Sequence, residues 1–141
     1  MVVHAAPVLA STVVVAVDVG KNEFAVSVTD AARNKLLKPR LGCPMTASSV
    51  REVLGVIEGL LGPAARVKVG IEAAGHYHRP LLSARVWPAG WELLELNPAH
   101  VTGQRQVLGK RTIKTDAVDL EAMTELLLAA AACPSPARPW C

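Results

Sequence analysis

An apolar run that stops on an acid constrains this chain more than any other feature. Thr12-Val13-Val14-Val15-Ala16-Val17 has the composition of a central strand buried on both faces, and Asp18 follows it directly. Glu72 closes a second run, Val67-Lys68-Val69-Gly70-Ile71. Asp116 and Asp119 stand three apart in Lys114-Thr115-Asp116-Ala117-Val118-Asp119-Leu120, at the start of a helical pattern. A buried ionised carboxylate is costly unless it is paired or bound to a cation. Acids at two strand ends and on one helix face therefore point to a site for a hard divalent cation, which takes oxygen ligands.

The helical pair can be placed by periodicity. An α-helix turns about 100° per residue. With Asp116 at zero, Leu120, Met123 and Leu127 fall within about 40° of it, and Asp119 falls beside Met123 and Leu126. Glu121 and Glu125 fall on the other side. The expectation is that Asp116 and Asp119 share the core-facing stripe and that the two glutamates face solvent. Capping is the alternative for this pair, with Asp116 as N-cap and Asp119 in the first turn. Asp18 and Glu72 follow apolar strand-like runs, where capping does not apply, and they favour the cation site.

With 141 residues the chain is long enough for one domain with its own core. Only 4% of it is aromatic, so Val, Leu and Ala must do the packing. A net charge of +3 permits nucleic-acid binding without requiring it. Cys43, Cys133 and Cys141 form no Cys-x-x-Cys spacing, and an odd, unframed set fits a reducing, cytoplasmic setting. Membrane association is not expected, because no apolar run is long enough to span. The N-terminal stretch also has no charged region of the signal-peptide kind. Residues 1–11 and the Pro/Ala-rich residues 129–141 are expected to be disordered. That leaves residues 12–128 as the folded domain.

Alternation and punctuation give the order of elements. Strands are expected near Thr12 to Val19, across Phe24, Val26 and Val28, and near Lys35 to Pro39. A helix carrying Val50, Val53, Leu54 and Ile57 follows, capped by Thr46 or Ser49 and stopped by Gly62-Pro63. A strand spans Arg66 to Ile71, a helix Gly75 to Trp87, and a strand Trp91 to Leu96. A short helix from Pro98 and the acidic helix complete the series. This is the β-β-β-α-β-α-β-α order of the ribonuclease H-like α/β fold, a mixed five-stranded sheet with flanking helices. It brings the end of the first strand, and hence Asp18, beside Glu72.

Several pieces of the chain also carry a family resemblance. Val17-Asp18-Val19-Gly20-Lys21, Glu72-Ala73-Ala74-Gly75-His76-Tyr77, Asn97-Pro98 and Lys114-Thr115-Asp116-Ala117-Val118-Asp119 occur in the order of one family. The chain resembles the N-terminal RuvC-like domain of the DEDD transposases of insertion-sequence family one-ten, the bridge-RNA-guided recombinases. The resemblance covers about residues 13 to 128. It implies that Asp18, Glu72, Asp116 and Asp119 hold magnesium, with manganese as a substitute. It further implies DNA and a structured guide RNA as partners, and a homo-oligomer in full-length members. In that family a C-terminal domain carries a serine nucleophile. No serine here can be given that role, so the chain is expected to be a truncated form inactive alone. Ala74 stands where the family usually has Thr, and Leu120 where it usually has Ala.

Cations are placed to complement the acids. Arg105, Lys110, Arg111 and Lys114 lie in an acid-free stretch with Gly103 and Gly109, and it runs straight into the acidic helix. A flexible cationic loop beside a metal site suits a polyanion. Lys21, three residues after Asp18, is a further candidate phosphate contact. His76 and His78 flank Tyr77 but lack the partners that zinc requires. Three other functions compete. A stand-alone RuvC-like Holliday-junction nuclease would use the same acids, and an inert relic would bind nucleic acid without chemistry. An actin-like ATPase lacks the hydroxyl expected after Gly20 and the length for two lobes.

Overall fold

The computed structural model describes residues 12–62, 65–72, 79–82, 86–109 and 116–131. Its first three strands are β1 (Thr12–Val19), β2 (Glu23–Asp30) and β3 (Lys35–Pro44). They form an antiparallel meander, with Asp18 opposite Ala25 and Phe24 opposite Cys43. β3 is longer than its expected Lys35–Pro39. Its ladder with β2 shifts register between Val28 and Thr29, between Val26 and Val28 and between Phe24 and Val26, and so reaches Pro44. Pro39 is tolerated there because β3 is an edge strand.

Helix α1 (Ala47–Leu60) returns the chain to β4 (Arg66–Glu72), which pairs parallel with β1. Thr46 caps α1, its hydroxyl accepting from the Ser49 N–H at 3.2 Å. β5 (Glu92–Leu96) pairs parallel with β4 and completes a mixed sheet of order β3-β2-β1-β4-β5. This is the ribonuclease H-like arrangement that the element order predicts. Helix α2 (Pro98–Val107) begins at Asn97-Pro98 for a local reason. The Asn97 side chain accepts from the Ala99 N–H at 2.8 Å, and proline suits the first helical turn. Helix α3 (Asp116–Ala131) carries the acidic pair and runs past the boundary expected at residue 128.

Of the helix expected over Gly75 to Trp87, the described part shows only a 3-10 turn at Arg79–Leu82. His76, Tyr77 and His78 lie outside the described residues, as do residues 1–11 and 132–141. Trp87 is buried, and its indole N–H donates to the Leu81 carbonyl. No described helix is long and apolar enough to cross a membrane.

The alternation of β1 sorts the core into two layers. Val13, Val15, Val17 and Val19 pack with Val53, Leu54 and Ile57 of α1. Val14 and Ala16 pack on the other face with Val101 of α2 and Leu120, Met123 and Leu127 of α3. Small residues let α3 lie close to the sheet. A Cβ on Gly70 would fall 2.7 Å from both Leu127 methyl carbons, so any larger residue here would have to push Leu127 aside. Leu120 is fully buried in this layer.

Candidate metal centre

Strand alternation aims the first two acids. Asp18 continues the row Val14, Ala16, and Glu72 continues the row Lys68, Gly70. Val14 and Ala16 pack beneath α3, and Gly70 meets Leu127, so both rows lie on the face that α3 covers. β1 and β4 are parallel with Val17 opposite Ile71, which brings their next residues, Asp18 and Glu72, to the same end of the sheet.

The first turn of α3 supplies the other two acids. One carboxylate oxygen from each of Asp18, Asp116 and Asp119 lies within 4.8 Å of the others. Asp119 is buried at 7% exposure, Asp18 is half-buried and Asp116 is exposed. The exposure of Asp116 corrects the shared core-facing stripe. It is the first residue of the helix, at an end that the apolar layer does not cover, so helical phase alone does not bury it. Glu72 does not join the group of three, although its charge reaches Asp18.

Asp18 records the electrostatic state of the site. Burial pushes its pKa from 3.8 to about 7, and the charges of Asp119, Asp116 and Glu72 add to the rise. A hydrogen bond with Asp116 favours the protonated form further. Burial and the crowding of the described acids therefore make ionisation of Asp18 costly. The all-oxygen donor set suits a hard divalent cation, and partial burial weakens the competition from water. A divalent cation fits the residues present. The α3 dipole also favours acids in its first turn.

Of the expected cations, Arg105 is placed differently from the reading of the sequence. Residues 104–107 are helical, so Arg105 lies in the last turn of α2 and not in a loop. Its Nη1 donates to Asp119 Oδ1 at 2.9 Å and its Nη2 to Thr102 Oγ1 at 3.1 Å. The two side chains of the pair are 11% and 9% exposed. Arg105 thus faces the acids and is not presented to solvent as a phosphate contact. Periodicity carries the signal, because Arg105 is one turn beyond the buried Val101. Lys21 is exposed in the turn after β1. Lys110, Arg111 and Lys114 lie outside the described residues.

Glu121 and Glu125 are half-buried, against the expectation of a solvent face. Arg33, from the β2–β3 turn, donates to both Glu125 oxygens, at 3.1 and 2.9 Å. A cleft of about 380 Å³ runs beside this pair between β2, β3 and α3, and none of the four acids lines it. Its Arg33 and Glu125 are partnered with each other.

A ribonuclease H-like sheet with a carboxylate cluster at the end of its central strand defines a domain suited to a divalent cation. The family model for DEDD transposases of the IS110 type, described as a transposase, matches residues 15–139, and the chain belongs to that family. A comparison with curated proteins finds no match.

Proposed function

We propose that this domain is the metal-binding part of an insertion-sequence transposase-recombinase that acts on DNA phosphodiesters. The convergence of Asp18, Asp116 and Asp119 within 4.8 Å, in a member of a transposase family, carries the reading. Asp18, Asp116 and Asp119 hold the ion and Glu72 contributes from β4. Bound magnesium supplies Lewis acidity and alignment to a phosphodiester. Asp18 yields its proton when a cation enters, and the buried Asp119 fixes the inner wall. The exposed Asp116 leaves the site open on the side from which a nucleic acid would approach. Lys21, Lys110, Arg111 and Lys114 attract the backbone by charge. A structured guide RNA and self-association belong to the same proposal.

The test is strand transfer on purified DNA with magnesium, with the serine-bearing half of a complete family member added as a separate polypeptide. The expected result is transfer that disappears in Asp18→Asn and Asp119→Asn. The 141-residue chain by itself is expected to leave DNA intact. Magnesium-dependent cleavage of branched DNA by the chain alone would replace this reading with that of a stand-alone junction nuclease.

A further inference from the structure

We propose that Arg105 is the resident counter-ion of the acidic centre. It is a positioning residue that shares Asp119 with the incoming divalent cation, so that guanidinium and metal offset the same negative charge. The inference rests on the metal reading above and extends it to a residue outside the acids.

The geometry distinguishes Arg105 from an ordinary strut between helices. α2 already packs into the layer beneath α3 through Val101, one turn earlier on the same face. Replacing a buried ion pair by apolar residues of similar volume is often neutral or stabilising, so packing does not explain a charge here. The Arg105 Nε is buried and has no hydrogen-bond partner among the described residues, a further cost of placing a guanidinium at this point. What the position offers is proximity to crowded carboxylates. Asp119, which Arg105 contacts, has an oxygen within 4.8 Å of those of Asp18 and Asp116. Among the described residues the guanidinium contacts Asp119 of the three clustered carboxylates, so it relieves their repulsion in part and leaves a role for a second cation. The Thr102 hydroxyl accepts from Nη2 and fixes the rotamer, so the charge is held in place before metal arrives.

Two cations that neutralise the same carboxylates oppose one another, and linkage makes the opposition reciprocal. Arg105 therefore stabilises the metal-free fold and lowers metal affinity. Arg105→Met removes the charge and keeps an unbranched stem, whereas Arg105→Lys keeps the charge and loses the planar fork.

The experiment is manganese titration of the 141-residue chain by calorimetry, paired with thermal melts with and without manganese. Arg105→Met is expected to melt lower than wild type without metal. It should bind manganese at least about fivefold more tightly and show the larger metal-induced rise in Tm. Arg105→Lys should stay close to wild type in affinity. Equal or weaker manganese binding by Arg105→Met would overturn the proposal and leave Arg105 a structural or ligand-orienting group. So would an Arg105→Met chain that stays unfolded at saturating manganese, because the ion would then not replace the missing cation. If wild type itself binds no manganese, or binds it no better than Asp18→Asn does, the metal reading fails and this inference falls with it.

Discussion

Asp18 couples the stability of the domain to pH. Its carboxyl titrates near 3.8 in the unfolded chain and near 7 in the fold. Between those values the folded state binds more protons than the unfolded state, so metal-free stability falls as pH rises. The loss begins near pH 4 and is complete just above pH 7. Urea unfolding at pH 5 and pH 8 should show the metal-free protein more stable at pH 5, and Asp18→Asn should flatten the difference. Metal and proton compete for the same oxygens, so apparent manganese affinity should climb through pH 7. Asp18 is legible in the sequence because it follows a run too apolar for a solvated acid; Glu72 follows such a run too but stands outside the group of three. Asp116 and Asp119 are legible as a pair, but their burial is not, because it depends on where the sheet ends beneath α3. Arg105 and Asp119 are 14 residues apart, and only the packing of α2 against α3 joins them.

At the scale of elements, the site depends on how closely α3 lies on the sheet. Gly70 and Leu127 set that distance. Gly70→Val should force Leu127 outward and cost about 1–3 kcal/mol, as overpacking does. It should also weaken manganese binding, because Asp116 and Asp119 ride on the displaced helix. Chemical denaturation and a metal titration on one preparation would check both effects. A second tether works from the far side. Asp30 Oδ1 accepts from the Ala32 and Asn34 N–H groups at 2.9 and 2.8 Å, and Arg33 takes a left-handed φ of 67° within that turn. This turn presents Arg33 to Glu125. Glu125→Gln should leave manganese affinity intact, since Glu125 is not in the carboxylate group and Arg33 is largely exposed. The strands and most helices were legible from alternation and caps, and Thr46 and Asn97 act as those rules require, whereas the helix expected over Gly75 to Trp87 has only a 3-10 turn at Arg79–Leu82 in its described part. The length of β3 was not, because register shifts carry its ladder past Pro39. The half-burial of Glu121 and Glu125 was not either, because a helical wheel contains no neighbouring hairpin turn.

For the whole molecule, the proposed function requires that a polyanion approach the acids only once a cation has neutralised them. With Arg105 engaged by Asp119, the proposed phosphate contacts are Lys21, Lys110, Arg111 and Lys114. Each phosphate contact contributes about −0.9 to the log-log salt slope on duplex DNA, so four give roughly −3 to −4. A salt titration in calcium should show that slope, reduced in Lys110→Ala with Arg111→Ala and unchanged in Arg105→Met. A slope near zero would remove nucleic acid from this surface. The central claim is that Asp18, Asp116 and Asp119 form one cation site, and manganese binding tests it most directly. Calorimetric titration at pH 8 should give saturable binding to the wild-type chain, accompanied by a rise in Tm. Binding should be lost or at least about tenfold weaker in both Asp18→Asn and Asp119→Asn, as expected when one carboxylate ligand worth about 1.4 kcal/mol or more is removed. Manganese binding of unchanged affinity in both variants would contradict the account.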